Sequence, residues 1–72
     1  MRYYVAKGPI ENAGYTWDLS LYKVDVHMSA EAIRFYSDGT IVKDIIKHFS
    51  FYFISKHCKH ISKEEYESML EI

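Results

Sequence analysis

Seventy-two residues leave room for one small core, so the chain reads as a single domain over 1–72. Apolar residues make up 49% and charged residues 26%, which excludes a disordered chain. A net charge of −1 excludes the strongly basic balance typical of nucleic-acid binders.

Tyr3 to Ala6 predicts a first short strand. Gly8-Pro9 breaks it, and Glu11-Asn12-Ala13-Gly14 is a second turn cluster, so residues 8–14 are expected to form a loop. Tyr15 to Met28 is the longest strand candidate. Trp17, Leu19 and Leu21 alternate with polar residues, and then Tyr22, Val24 and Val26 do so on the other parity. One face cannot hold both sets without an extra residue, so a β-bulge or sharp bend is expected near Leu21-Tyr22.

Ser37-Asp38-Gly39-Thr40 predicts a hairpin with Asp38-Gly39 as a two-residue type I′ turn. Ser37 would then face Thr40, Tyr36 would face Ile41 and Phe35 would face Val42. The competing reading caps a helix at Ser29 and ends it at Gly39; Ile33, Phe35 and Tyr36 favour the strand. Strands at about 40–46 and 49–55 follow, although Val42, Ile45, Ile46, Phe49 and Phe53 also fit a helical stripe.

The end of the chain carries the most specific pattern. Ser62-Lys63-Glu64-Glu65 is a capping box with Ser62 as the cap, and Ile61 and Tyr66 stand where a hydrophobic staple belongs. A helix over about 63–71 is expected. The fold class is therefore α+β: a four- to five-stranded, mostly antiparallel sheet with a C-terminal helix. A small SH3- or OB-like barrel is the alternative.

Little here resembles catalysis. Cys58 is the only cysteine, so there is no internal disulfide, in keeping with a reducing compartment. His57, Cys58 and His60 match no zinc module, and the alternation of an extended chain would send neighbours to opposite faces. No metal or cofactor is expected. Asp18, Asp25, Glu31 and Asp44 form no evident acid–base pair, and Gly8, Gly14 and Gly39 are too dispersed for a phosphate loop. No secretory signal is visible, and the densest apolar run, Phe49 to Ile54, is too short to span a bilayer; a cytoplasmic protein without membrane partners is expected.

Two surfaces remain. Aromatics make up 17% of the chain, including seven Tyr, more than one side of one small sheet readily hides. Tyr3, Tyr15, Trp17, Tyr22 and Tyr36 are the candidate protein-binding residues, for a larger partner or for a second copy in a homodimer. The other surface is the basic–aromatic segment 43–63, in which Lys43, Lys47, Tyr52, Lys56, Lys59 and Lys63 are candidates for single-stranded nucleic acid. In its compact, one-cysteine, Tyr- and Lys-rich style, the chain resembles small accessory proteins of phages and mobile elements in low-GC bacteria. The resemblance covers no particular residues and transfers no functional ones. It implies a non-enzymatic binding protein that occludes a host nuclease, immune factor or transcription factor.

Overall fold

The computed structural model describes the backbone of residues 1–12 and 15–70, with side chains for 1–9 and 16–70. Five antiparallel strands form one open sheet: β1 (Arg2–Asn12), β2 (Tyr15–Val24), β3 (Ala30–Phe35), β4 (Ile41–Ile46) and β5 (Lys59–Ile61). Their order is β4-β3-β2-β1-β5, so β4 and β5 are free edges and the sheet does not close into a barrel. Helix α1 (Phe51–His57) precedes β5, and α2 (Lys63–Leu70) follows it.

The parity switch in β2 has a different origin from the expected bulge. β2 runs in unbroken register past Leu21 and Tyr22, which pair with Val5 and Tyr4. Both parities are apolar because both faces of the sheet are covered. Tyr22, Val24, Tyr4 and Ala6 pack on one side with Ala30, Ala32 and Phe49, joined by Phe53 and Ile54 of α1. Leu21 and Val5 pack on the other with Ile61 and Tyr66 of α2. The register irregularity lies instead between Lys7 and Ile10 of β1, which continues through Gly8-Pro9 (a cis peptide bond) rather than ending there. A bulge is one of the few places where a sheet accepts proline. Opposite it, Trp17 and Ser20 come to the same side despite odd spacing: the Trp17 indole N–H donates to Ser20 Oγ at 3.0 Å. That bond gives the fully buried hydroxyl a partner, as burial of a polar group demands.

β2 stops at Val24, four residues before the expected end. The Asp25 carboxylate accepts from the backbone N–H groups of His27 and Ser29, and Met28 adopts φ 63°, so the chain turns back there into β3.

The β3–β4 hairpin forms where expected, but its register is shifted by one. Phe35 pairs with Ile41, and Arg34 with Val42. The loop has three residues, with Tyr36 N–H donating to Thr40 O and Gly39 N–H to Tyr36 O. Gly39 takes φ 90°, and the Asp38 carboxylate accepts from Thr40 N–H. These bonds fit a type I turn closed by a glycine bulge, the usual three-residue solution. One residue of slip sends every β4 side chain to the opposite face from that implied by a two-residue turn. Thus Ile41, Lys43 and Ile45 share the α2 face, and Val42, Asp44 and Ile46 share the α1 face.

The strand expected over 49–55 is a helix. Ser50 caps it by accepting from Phe53 N–H; Phe49 stacks on Tyr22 of β2, and Phe53 meets the same ring edge-on. Phe49, just before the cap, and Phe53 in the first turn both pack on Tyr22, and that tertiary contact outweighs the β preference of Phe and Tyr, which is mostly a measure of context.

The capping box is formed as read. Glu65 N–H donates to Ser62 Oγ at 3.1 Å, and Ser62 N–H to Glu65 Oε1 at 3.2 Å. Ile61 and Tyr66 meet in the α2 core. Ser62→Ala is expected to cost about 1 kcal/mol, lowering the melting temperature by roughly 4–8 °C. A thermal melt checks this, and an unchanged midpoint would contradict it.

Candidate protein-binding face

With both sheet faces covered, most of the candidate aromatics are taken up by the cores. Trp17 is 3% exposed and Tyr22 1%. Tyr3 is half-buried with its ring 4.9 Å from that of Tyr66, and Tyr36 packs at the rim of the α1 core. The Tyr15 side chain lies outside the described residues. The four described aromatics therefore form no common exposed surface; they are core and rim, because the domain has two small cores to fill and not one.

One group of exposed apolar residues lies on β4, outside the aromatic candidates. Ile41 is 55% exposed and Ile45 70%, with Val42 also open to solvent. Among the described residues β4 has a strand neighbour on one side only, so its outer edge presents backbone groups without ladder partners alongside these side chains. On the α2 face, β3 and β4 extend beyond the helix and border a cleft of about 720 Å³. Ile33 and Ile45 contribute apolar surface, Tyr66 and Leu70 stand on the α2 side, and Lys23 and Lys43 line the cleft among the charged groups. On the α1 face, Ile46 borders a smaller pocket of about 170 Å³. A second apolar group, Met1, Val26 and Phe51, surrounds a separate cleft of about 460 Å³.

One feature of β4 limits edge pairing. Asp44 Oδ1 accepts from Ile45 N–H at 2.8 Å, while its Oδ2 lies 3.5 Å from Arg34 Nη1. An antiparallel two-fold pairing of β4 with its own copy keeps each face with itself, so the central residue opposes its twin. Centred on the strand, that sets Lys43 against Lys43 or Asp44 against Asp44, and like charges directly opposite are destabilising.

The basic segment does not assemble into one track. Lys43 is on β4 and Lys59 on β5, at opposite edges of the sheet and four strand spacings apart, about 19 Å. Lys63 begins α2 and pairs with Glu67 at 3.9 Å. Lys47 follows β4. Lys56 and Tyr52 belong to α1, where the ammonium sits 5.5 Å from the ring centroid of the largely exposed Tyr52.

His57 packs on Phe53 and His60 meets the edge of Tyr4, while Cys58 joins the α1 core between them. Among the described residues, no three of His, Cys, Asp and Glu converge as metal ligands would. Burial pushes the Cys58 thiol up to about 11. The nucleophilic thiolate is then about 0.1% of the population at pH 8. Alkylation of the native protein at pH 8 should be on the order of 100-fold slower than after unfolding in guanidinium. Equal rates would contradict the burial of this thiol. No described helix is long and apolar enough to cross a membrane.

No protein family, curated protein or solved structure matches this chain.

Proposed function

We propose that this chain is a non-enzymatic protein-binding domain that docks a larger partner along β4. The observation that carries this is the exposed apolar strand Ile41–Ile46 at an open sheet edge, with a cleft beside it on one face and a pocket on the other. Monomeric proteins rarely leave such surface uncovered without an interaction to explain it. A different protein is favoured over a second copy, because the centred self-pairings of β4 oppose like charges. Occlusion of a host nuclease, immune factor or transcription factor by a phage or mobile-element accessory protein is the finer form of the proposal. Its support is the resemblance of style.

Nucleic-acid binding through residues 43–63 draws less support, since its lysines divide between opposite sheet edges. Light scattering and affinity capture from the native host test the proposal together. A monomer that retains one stoichiometric partner is the expected result. A β4-dependent homodimer would overturn the choice of partner, and a monomer that retains nothing would overturn the function.

A further inference from the structure

The pocket on the α1 face has a composition that β4 docking does not explain. Trp17, Tyr22 and Phe49, all buried, line it with Phe53, and Arg34 and His48 supply its charged and polar groups. The Arg34 guanidinium carbon lies 5.0 Å from the Trp17 ring centroid, so the charge is fixed against an aromatic surface. Its side chain is only 17% exposed. Its Nε is buried and finds no acceptor among the described residues. Among the described residues the one carboxylate in contact is Asp44, at 3.5 Å and itself 56% exposed. A guanidinium carries five N–H donors, and burying such a cation is costly unless anions or acceptors meet it. Here the Tyr22 hydroxyl also lies beside the guanidinium, and the buried Nε is left without an acceptor among the described residues, inside an aromatic pocket.

At about 170 Å³ the space is well below the 300–1,000 Å³ usual for drug-sized ligands and suits a group no larger than one ring. We propose that this pocket binds a carboxylate carried on a single aromatic ring, the ring lying among Phe49, Phe53 and Tyr22 and the carboxylate reaching the Arg34 guanidinium. Planar bidentate pairing with a carboxylate is what guanidinium geometry favours. Two sources share this chemistry: a free aryl acid, and an aromatic residue at the C-terminus of a polypeptide. Asp44 competes for the same cation, so the proposal also predicts the sign of its removal. Ile46 and Asp44 of β4 border this site, but the proposal rests on the buried Arg34 rather than on β4 docking and is tested without any partner.

Trp17 is the only tryptophan in the chain and lines the pocket, so its fluorescence and its indole N–H resonance report on occupancy directly. The probes are benzoate and N-acetylphenylalanine, against benzamide and N-acetylphenylalanine amide. At least one acid is expected to give a saturable change in both signals, with its amide at least tenfold weaker. Arg34→Gln should abolish the response. Asp44→Asn, at an exposed position that leaves the core intact, should tighten binding several-fold. The acid that binds identifies the source. The proposal is overturned if neither acid is bound, if the amides bind as well as the acids, or if Arg34→Gln binds unchanged. Should Arg34→Gln fail to fold, Asp44→Asn binding no more tightly than wild type overturns it alone.

Discussion

Tyr22→Ala is expected to leave the chain largely unfolded at 25 °C. Tyr22 sits on the central strand, 1% exposed, with its ring 4.5 Å from that of Phe49 and 5.7 Å from that of Phe53. Those contacts anchor the start of α1 on the sheet, with Ile54 and Cys58 packing alongside, and a seven-residue helix does not persist without such packing. Emptying a buried aromatic site costs about 3–5 kcal/mol. A domain of this size has a net stability of roughly 3–5 kcal/mol in total. The loss therefore equals the reserve. Circular dichroism at 25 °C and urea titration measure it, with Tyr52→Ala as the control. Tyr52 is 70% exposed on the same short helix, and its loss should change stability by less than about 0.5 kcal/mol. If Tyr22→Ala melted within a few degrees of wild type, the two-faced core described here would be wrong.

That two-faced core is also where sequence reasoning diverged from the fold. The features that local chemistry decides were legible: the capping box at Ser62 and Glu65, the staple of Ile61 and Tyr66, and a turn at Gly39. The features that tertiary context decides were not. Alternation in β2 implies one buried face and a bulge at Leu21-Tyr22 only if the other face is bare; α1 covers it, and the apparent contradiction becomes burial on both sides. The segment Phe49 to Ile54 satisfies helix and strand patterns alike, and the partner Tyr22 selects the helix. Asp-Gly fits both two- and three-residue hairpin loops, and that single residue determines which face each β4 side chain occupies.

The candidate site followed from the same errors. Counting aromatics against one core made Tyr3, Trp17, Tyr22 and Tyr36 look surplus, whereas two cores absorb them. The exposed Ile41, Val42 and Ile45 were not legible as such, since with Ile46 they have the composition of an ordinary buried strand. Only the strand order makes β4 an edge. Its apolar content on both parities, without a later strand to cover it, was the available signal. Arg34 gave none, because an arginine in a strand reads as solvated until Trp17 is seen beneath it.

The second large effect is expected at β4. The double substitution Ile41→Lys, Ile45→Lys places two charges in the apolar part of the α2-face margin. Both side chains are more than half exposed, so stability should stay within about 1 kcal/mol of wild type. Binding should not. Central apolar anchors of a protein interface cost 2 kcal/mol or more when removed, about 30-fold in affinity, and a buried unpaired charge adds to that. The same face also carries Lys43, so added lysines would further crowd like charge along one strand.

The most direct measurement is the affinity of the wild-type chain and of this double variant for the partner captured from the native host. Both proteins are first shown to share melting temperature and Trp17 fluorescence. The wild type is expected to hold the partner and the variant to lose it by at least about 30-fold. A variant that folds like wild type and holds the same partner with equal affinity would contradict β4 as the binding surface.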